Sequence, residues 1–338
     1  MIRRLQAIRK TSMVALACGV LTLAGARVSG WWSQPPAGTA AASTGESVRL
    51  LSWNVSSDAF VRDAASFRAL LTRADADVFL LDEVSPAATE TQLRAALPRR
   101  REGGNDWHIS LGLSGGRQRG VIISRQPLEP VPELSQVLPY PTAERDRLHK
   151  RMLAAKADNP DYSMDGGIPV NGALVMTGAR RLLVVIVDLQ CCGEDPASWE
   201  EERRRVETAQ VRRRVEEVLK RTRVDGVIVA GDLNLVSTPL PMVILSGPYP
   251  SPHDGLIAAE LRHVDGTETW TWDGRGSPFP SRPMDFMLYS PRALLLRTGY
   301  ILDSADLARA ELDKLGLAPQ SAARLSQHLP LVAEFGWR

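Results

Sequence analysis

Short apolar or alternating runs recur along most of the chain, separated by polar and turn-forming segments. Runs of this kind are typical of β-strands that are buried on one or both faces. They occur at residues 48–55, 78–81, 121–123, 173–176, 182–189, 226–230, 286–289 and 331–335. We therefore predict a substantial core built on β-strands.

Helical spacing is found in segments between these runs, at residues 59–73, 86–97, 199–221 and 304–315. The third segment has the clearest pattern. Its Val211, Val215, Val218 and Leu219 form a stripe at i, i+4, i+7 and i+8, which places them on one face of a helix. We expect that face to pack on the sheet core.

The same segment contains two arginine triplets, at residues 203–205 and 212–214. Clustered arginines on a helix can indicate nucleic-acid binding. Here glutamates interleave with them, and Glu and Arg at i, i+4 spacing pair with each other along a helix. We therefore predict a solvated helix face held by ion pairs.

The mixture of strands and helices predicts a single α/β domain over residues 48–338. No internal repeat of useful period is present in the sequence. One stretch, residues 129–169, is rich in Pro, Asp and Arg, and we predict that it is a long surface insertion. Loops of that length are often functional.

The N-terminus has the pattern of an export signal. Four basic residues precede an uncharged, mostly apolar run at residues 11–26, which predicts a signal peptide or membrane anchor over residues 1–29. The run is short for a membrane span of about 20 residues, but Trp31 and Trp32 suit a membrane interface. Residues 30–47 are rich in Pro, Gly, Ala, Ser and Thr and predict a flexible linker.

The composition is that of an ordinary globular domain, and its net charge does not indicate a polyanionic partner. The chain has 41 basic and 39 acidic residues. Removing residues 1–26, which hold four basic and no acidic residues, leaves 37 against 39, or a net charge near −2. Proteins that bind duplex nucleic acid non-specifically usually have a basic excess. Binding of nucleic acid by this chain would therefore need a local basic groove.

The three cysteines are too few for a disulfide framework. One of them, Cys18, lies in the predicted signal. Cys191 and Cys192 are adjacent, so only a strained vicinal ring would join them. The simpler interpretation is two small residues after a buried strand. No Cys/His spacing typical of structural zinc is present.

Polar residues with candidate chemistry stand at the ends of the first two predicted strands. Asn54 closes the first, where an amide can orient a ligand or form an Asx turn. Asp82 and Glu83 end the second, and strand alternation would send their side chains to opposite faces. Glu83 could then anchor a hard cation such as Mg²⁺, while Asp82 meets solvent or caps the next helix.

The strongest local signal is the buried run 227–230 that ends in Gly231, Asp232, Leu233 and Asn234. A period of two would place Asp232 and Asn234 on one face. Asp232 could accept a proton from an attacking water or bind metal, and Asn234 could donate to a phosphoryl oxygen. A structural Asp-x-Asn turn is the alternative.

An acid and a histidine lie near two C-terminal strands. Asp285 enters the strand at 286–289, and His328 precedes the strand at 331–335. A carboxylate bonded to an imidazole fixes its tautomer and raises its basicity. We therefore predict that Asp285 and His328 form a pair.

Taken in order, these elements resemble the endonuclease/exonuclease/phosphatase superfamily. The resemblance runs from about residue 48 to the C-terminus, and it depends on the order of the motifs as much as on any one of them. The matching motifs are Ser-Trp-Asn-Val at 52–55, Leu-Asp-Glu-Val at 81–84, the Gly...Ser-Arg-x-Pro segment within 119–128, Gly-Asp-Leu-Asn at 231–234, Thr-Trp-Thr-Trp at 269–272, residues 282–285 and Ser-Gln-His-Leu-Pro at 326–330.

This resemblance implies a four-layer α/β/β/α sandwich, two packed mixed β-sheets flanked by helices, with the site at the sheet edges. It implies one or two Mg²⁺ ions near Glu83, with Mn²⁺ as the alternative ion, and an in-line water attack assisted by Asp232. Asn234 and His328 would stabilise the transition state. These roles agree with the needs of phosphoryl transfer, which are positioning and charge neutralisation.

Two positions depart from the pattern of the family. Its Thr-His-Leu strand end appears here as Val-Asp-Leu at 187–189, and its Ser-Asp-His appears as Ser-Gln-His at 326–328. We interpret them together as a relocated carboxylate, in which Asp188 supplies the charge that Gln327 does not. We therefore place Glu83, Asn54, Asp188 and Asp232 around the metal. The alternative is that Asp188 caps the turn that follows it.

The resulting hypothesis is an exported, Mg²⁺-dependent phosphoester hydrolase, most simply a monomeric phosphodiesterase acting on nucleic acid or a phospholipid headgroup. Small phosphoesters are also open as substrates, because fold does not choose among them. The alternative is a binding protein that has kept the fold and lost turnover. We expect the protein outside the cytoplasm, as a periplasmic, secreted or membrane-anchored form.

Overall fold

The computed structural model describes residues 47–99, 106–157, 159, 162–247 and 255–338. The predicted signal or anchor and almost all of the predicted linker lie outside these residues. None of the helices in the described ranges is both long and apolar enough to cross a membrane.

The strands form two six-stranded mixed sheets. Their bounds are β1 Ser47–Ser57, β2 Val78–Val84, β3 His108–Leu111, β4 Arg119–Ser124, β5 Leu128–Pro130, β6 Val170–Thr177, β7 Arg180–Asp188, β8 Gly226–Asp232, β9 Ile257–Ala258, β10 Asp285–Tyr289, β11 Leu294–Ile301 and β12 Leu331–Trp337. The first sheet has the order β11-β12-β1-β2-β4-β3 and the second β5-β6-β7-β8-β10-β9. Helices flank them, which confirms the predicted sandwich. The pattern had missed β3, β5, β9 and β11.

Each of the four predicted segments contains a helix, most of them shorter than predicted, and four further helices among the described residues were not predicted. Their bounds are α1 Ala59–Arg62, α2 Ala64–Ala74, α3 Glu90–Ala96, α4 Pro132–Ser135, α5 Thr142–Ala154, α6 Trp199–Arg221, α7 Leu240–Ser246, α8 Arg309–Leu315 and α9 Ser321–Leu325, with a 3-10 helix at Ser304–Asp306. The first predicted helix divides at Asp63, whose side chain accepts a hydrogen bond from the backbone N–H of Ser66 and so caps α2.

The central strands of the second sheet are buried on both faces. In β7, Val184 and Ile186 belong to the apolar cluster that also contains the first sheet. Leu183 and Val185 belong to a second cluster with α5 and α6. This double burial explains the unbroken apolar run of β7, since alternation with polar residues is expected only where one face meets water.

Residues 129–169 are not the surface insertion that their composition predicted. Leu134, Leu148 and Ile168 are fully buried, and they belong to the second cluster together with β6 and β7. Helices α4 and α5 supply the covering layer because the outer face of this sheet is apolar. The polar residues that dominated the composition lie on the other side of the two helices, where exposure is high.

Arg203 and Arg204 at the start of α6 are buried, so the prediction of a solvated face is wrong there. Arg204 pairs with Glu201 at 2.9 Å, and both side chains are fully buried. Arg203 pairs with Glu207 at 2.9 Å. The predicted i, i+4 pairing exists, but Arg204 also donates hydrogen bonds to backbone carbonyls of the loop after β7. A buried guanidinium is accommodated because these acceptors satisfy it.

Replacing Arg204 with Met is expected to lower the free energy of unfolding by about 3 kcal/mol, because it leaves Glu201 and the loop carbonyls less well paired in the interior. The matched control is Arg205→Met, which removes a second, half-exposed partner of Glu201 and should cost under about 1 kcal/mol. Denaturant unfolding measures both. Equal losses would contradict the special role of the buried arginine.

Candidate active site

The candidate residues come from different strands but meet at one edge of the sandwich. In the second sheet, Asp188 at the end of β7, Asp232 at the end of β8 and Asp285 at the start of β10 are successive neighbours in register. In the first sheet, Asn54 of β1 pairs in register with Asp82 of β2. The two edges bring their polar ends together between the sheets.

Asn54 connects the two sheets. Its side-chain N–H₂ donates to Glu83 Oε1 at 2.9 Å and lies 3.4 Å from Asp232 Oδ2. Its own side-chain oxygen accepts from the backbone N–H of Ser56, so the Asx turn that was the alternative interpretation is present as well. The turn orients the amide toward the two carboxylates.

Glu83 reaches the site through a backbone irregularity. Its φ is +51°, in the left-handed region that non-glycine residues rarely adopt, and the pairing of β2 with β1 and β4 shifts register around it. The alternation expected for an ideal strand is therefore broken. Glu83 remains partly exposed at the site.

Asp82 does not meet solvent or cap a helix, as alternation had predicted. Its side chain is 1% exposed, and neither carboxylate oxygen has a hydrogen-bond partner among the described residues. Burial raises the pKa of Asp82 well above its usual range, and the nearby carboxylates of Asp285, Asp232 and Glu83 raise it further. The adjacency of Asp82 to Glu83 was the one signal in the sequence that Asp82 lies near the site. The sequence did not indicate the direction of its side chain.

Asp232 and Asn234 are held by a sharp turn at the end of β8. Gly231 has a φ of +128°, and a Cβ there would lie 1.9 Å from the carbonyl oxygen of Val187, so only glycine fits. Asn234 lies beyond the end of β8 with a φ of +47°. The two-residue period of a strand, from which its position was predicted, therefore does not apply to it. Its backbone N–H donates to Asp232 Oδ1 at 2.9 Å, and its side-chain N–H₂ donates to the Leu189 carbonyl at 2.9 Å.

His328 and Asp285 form the predicted pair. His328 Nδ1 lies 2.9 Å from Asp285 Oδ2, and Nε2 lies 3.7 Å from Asp232 Oδ2. Thr271, which the motif at 269–272 includes but whose role sequence reasoning missed, donates to Asp285 Oδ2 at 2.7 Å. Its hydroxyl also accepts the backbone N–H of Asp285. The imidazole is thus oriented by a carboxylate that is itself fixed.

The electrostatics of this cluster favour an imidazolium beside crowded carboxylates. Burial alone would lower the pKa of His328, but the carboxylates of Asp285 and Asp232 outweigh it and raise that pKa to about 10. Burial raises the pKa of Asp232 to about 8, although the charge of His328 opposes the shift. Without a further cation, the buried carboxylates cannot all be ionised near neutral pH.

Asp188 lies in the cluster, beside Glu83 and Asp232. One carboxylate oxygen of each lies within 4.8 Å of the others. The carboxylate of Asp188 accepts a hydrogen bond from Gln118, whereas the N–H groups of Leu189 and Gln190 in the following turn bond to the Asp232 carbonyl and to Glu207. The turn is therefore stabilised by groups other than the Asp188 side chain.

This donor set fits a hard divalent cation. Carboxylate and amide oxygens are what Mg²⁺ and Mn²⁺ prefer, and Glu83, Asp188 and Asp232 present three carboxylates together. Burial, with Glu83 and Asp232 adding to it, raises the pKa of Asp188 well above its usual range. Buried Asp285 Oδ1 also has no hydrogen-bond partner among the described residues. Positive charge at this position would relieve the mutual repulsion.

A cleft of about 510 Å³ opens over the cluster. Its lining includes Glu83, Asp188 and Asn234, the loop after β7, residues of α6 and parts of two other segments. These are Gly115, Gly116, Arg117 and Gln118 before β4, and Asn159, Tyr162 and Ser163 after α5. The stretch predicted as an insertion therefore contributes a wall of the cleft, which its composition did not indicate.

Gln327 is exposed, and its backbone carbonyl accepts a hydrogen bond from Asp273. The neighbouring residues hold His328 in place: Ser326 donates to the Asn54 carbonyl at 2.8 Å and accepts the His328 N–H at 3.0 Å. The indole N–H of Trp53 donates to the His328 carbonyl at 2.8 Å. The backbone of this motif is thus bound to β1 whichever residue occupies position 327.

Two groups of carboxylates, one of them paired with an imidazolium, meet at the edge of a double sheet, an arrangement that suits a metal-dependent hydrolase. The profile of the Endonuclease/Exonuclease/phosphatase family matches residues 51–328, so the chain belongs to this family. It is therefore an enzyme of the metal-dependent phosphoester hydrolase kind, as predicted.

Solved structures share the fold at low sequence identity. Truncated Caenorhabditis elegans TDP2 is 14% identical, with a TM-score of 0.53 over 86% of this chain and 97% of that chain. D. rerio TDP2, complexed with single-strand DNA product, is 16% identical, with a TM-score of 0.51 over 86% and 99%. The human Nocturnin catalytic domain with bound sulfate is 16% identical, with a TM-score of 0.51 over 87% and 94%. A search of curated proteins finds no match.

Proposed function

We propose that the protein is a Mg²⁺-dependent phosphodiesterase, with Mn²⁺ as the alternative ion, that hydrolyses a nucleic acid or a phospholipid headgroup. The observation that carries this proposal is the meeting of two groups at Asp232: the Glu83, Asp188 and Asp232 carboxylates, and Asp232 with the Asp285–His328 pair. Glu83 and Asp188 of the first group line the cleft. A bound divalent cation would neutralise phosphoryl charge and favour the ionised state of these carboxylates.

The protein's own residues have separate tasks in this proposal. Asp232 accepts a proton from the attacking water; its ionised form is the competent one, which the charges of His328 and the cation favour. The imidazolium of His328, held by Asp285, stabilises negative charge on the phosphoryl oxygens. An amide has two N–H donors; one N–H of Asn234 bonds to Leu189, and the other is directed to substrate. Asn54 orients Glu83 and Asp232.

A nucleic-acid substrate has one specific support. The D. rerio TDP2 structure of the same fold is complexed with a single-strand DNA product. The phospholipid alternative draws on the predicted N-terminal anchor, which would place the cleft near a membrane. A slightly acidic net charge after loss of the signal is compatible with either substrate, because a cleft interacts with its substrate through local charge.

A substrate panel tests the proposed function. DNA, RNA, sphingomyelin, a phosphoinositide and bis-p-nitrophenyl phosphate are each incubated with Mg²⁺ and with EDTA, using Asp232→Asn protein as the matched control. We expect the parent protein to hydrolyse at least one diester in the presence of Mg²⁺, and the Asp232→Asn variant not to hydrolyse it. Hydrolysis confined to the phosphomonoester of the phosphoinositide would replace the phosphodiesterase assignment with a phosphomonoesterase.

Asp188→Ala is expected to weaken the Mg²⁺ dependence of turnover severalfold or more, because the carboxylate charge around a hard cation largely sets its affinity. Titrating activity against Mg²⁺ measures the midpoint, with Asp188→Asn as the isosteric comparison. The double change Asp188→His with Gln327→Asp should restore function better than either single change. An unchanged Mg²⁺ midpoint with lower stability would support a capping role for Asp188 and refute the interpretation that it is a relocated metal-binding carboxylate.

Export is also part of the proposal, supported by the basic start, the apolar run at 11–26 and the linker composition. We expect the protein beyond the cytoplasmic membrane, either free or held by its N-terminus, and monomeric. Fractionation of cells followed by N-terminal sequencing tests this. Recovery mainly in the cytosol, soluble and with residues 1–26 intact, would remove the export proposal together with the membrane argument for a phospholipid.

A further inference from the structure

Two adjacent thiols stand at the rim of the cleft, in the loop that follows β7. Cys191 and Cys192 are both exposed. Cys191 lines the cleft together with Glu83, Asp188 and Asn234. The proposed hydrolysis assigns these thiols no task, so they form a nucleophilic pair beside the catalytic residues but outside their chemistry.

The geometry of the pair is close to that of a bonded pair. The two sulfurs lie 2.9 Å apart, so they need to approach by less than about 1 Å to reach the disulfide length of about 2.0 Å. Adjacent Cα atoms are only about 3.8 Å apart, whereas ordinary disulfides join Cα atoms at about 4.4 Å or more. A ring formed here would be strained, and strained, exposed disulfides are easily reduced again.

Two buried charged residues of α6 hold the backbone of the loop that carries the thiols. Arg204 donates to the carbonyls of Gln190 at 2.8 Å, Cys192 at 2.6 Å and Gly193 at 3.2 Å. Glu207 accepts the N–H of Gln190 at 2.8 Å. Cys192 has a φ of +68°, a left-handed conformation that this anchoring maintains. The sulfurs are therefore brought together by the fold.

The same loop is bonded to the catalytic residues. The Leu189 carbonyl accepts the side-chain N–H of Asn234, and the Leu189 N–H donates to the Asp232 carbonyl, each at 2.9 Å. Closing a ring at 191–192 must rotate the peptide between the cysteines, whose Cys191 carbonyl accepts from the Gln190 side chain, and so displace the flanking Gln190 and Cys192 carbonyls that Arg204 holds. That shift would be transmitted through Leu189 to Asn234.

The two thiols differ in reactivity. The hydrogen bond with Cys191 lowers the pKa of Cys192 to about 7; burial and Glu200 oppose this shift, and Arg204 adds to it. The same hydrogen bond and burial raise the pKa of Cys191. A thiol that ionises near neutral pH is the better attacking group, which makes Cys192 the attacking and Cys191 the resolving cysteine.

We propose that Cys191 and Cys192 form a reversible vicinal disulfide that slows hydrolysis in the adjacent cleft, with a low-molecular-weight disulfide as the oxidant. The effect on hydrolysis rests on the proposed function. The Cys192 thiolate attacks one sulfur of the oxidant, whose S–S bond breaks and whose other half leaves and takes up a proton. Cys191 then loses its proton and attacks Cys192 Sγ, releasing the second half as a thiol. Two protein thiols are oxidised and one disulfide is reduced.

Glutathione disulfide serves as the probe, applied to the full chain carrying Cys18→Ser so that only the two loop thiols remain. Intact mass and alkylation report the ring: we expect a product lighter by two hydrogen atoms, with no adduct and no alkylatable thiol. The matched control, Cys18→Ser with Cys192→Ser, cannot form the ring and should show at most a glutathione adduct on Cys191.

Hydrolysis of bis-p-nitrophenyl phosphate is compared before and after oxidation, each variant against its own reduced form. We expect a severalfold fall in the two-thiol protein, recovered with dithiothreitol, and no ring-dependent fall in the control. Mn²⁺ affinity, measured by titration, gives a second readout of the cleft that needs no turnover.

Retention of both alkylatable thiols, or a stable glutathione adduct in place of the ring, would overturn the disulfide. A ring that forms while hydrolysis and Mn²⁺ affinity are unchanged would overturn the regulation. If the reduced protein hydrolyses nothing in the substrate panel, the proposed function fails separately, while the mass and Mn²⁺ measurements still decide the ring and its coupling to the cleft.

Discussion

Removal of the divalent cation is expected to abolish hydrolysis. The site gathers carboxylates and amides, and among the described residues its cleft presents no serine or cysteine paired with a histidine that could act as a nucleophile without metal. The buried carboxylates of Asp188 and Asp232 have pKa values raised by burial, so their ionised forms are disfavoured when no cation is bound. Both the charge that neutralises the phosphoryl group and the ionised base would be lost.

Dialysis against EDTA followed by return of Mg²⁺ measures this dependence, and EDTA already saturated with Mg²⁺ is the control for effects of the chelator itself. Activity should disappear in the first case, return with Mg²⁺ or Mn²⁺, and be unaffected by the saturated chelator. Undiminished hydrolysis by metal-free protein would falsify the metal-dependent mechanism.

Asp232→Asn and His328→Ala are each expected to lower turnover by roughly a hundredfold or more, the size of effect that positioned proton transfer and electrostatic stabilisation of the transition state each contribute. Asp232 would lose its ability to accept a proton, and His328→Ala would remove the imidazolium that Asp285 orients. The fold should survive both changes. Asn in place of Asp232 removes a carboxylate whose charged form burial disfavours, so the variant has no new buried charge to accommodate.

Exposed residues of α5 provide matched controls for both changes: Asp146→Asn and His149→Ala alter the same side-chain types away from the cluster. Their turnover should equal that of the parent. Circular dichroism and thermal unfolding verify that each variant is folded. A folded Asp232→Asn or His328→Ala protein with near-parental turnover would show that the residue does not have the assigned role, and would revive the alternative of a binding protein.

Several features of the site could be predicted because they are local. Glycine before Asp232, an acid before the strand at 286–289 and a histidine before the last strand are each visible in a few neighbouring letters. Their order along the chain identified the family. The pairing of Asp285 with His328 followed from chemistry, since a carboxylate is the usual partner that fixes an imidazole.

Other features were mispredicted because they depend on backbone conformations that alternation does not encode. A positive φ at Glu83 breaks the two-residue period, so Asp82 is buried where the pattern placed it in solvent. A positive φ at Asn234 likewise takes that residue off the strand. Turns and bulges at strand ends are held by long-range contacts, and no run of neighbouring residues reveals them.

Apolar periodicity and short motifs are local properties of the chain, so the class of fold, the family and the residue types at the site could be predicted from them. Which of those residues meet could not be predicted, because it depends on tertiary contacts. The register of β7, β8 and β10 places Asp188, Asp232 and Asp285 side by side. The apolar outer face of the second sheet packs against α4 and α5. Buried Arg204 donates its hydrogen bonds to carbonyls of a separate loop. Each depends on contacts between distant segments, which form only when the whole core is packed.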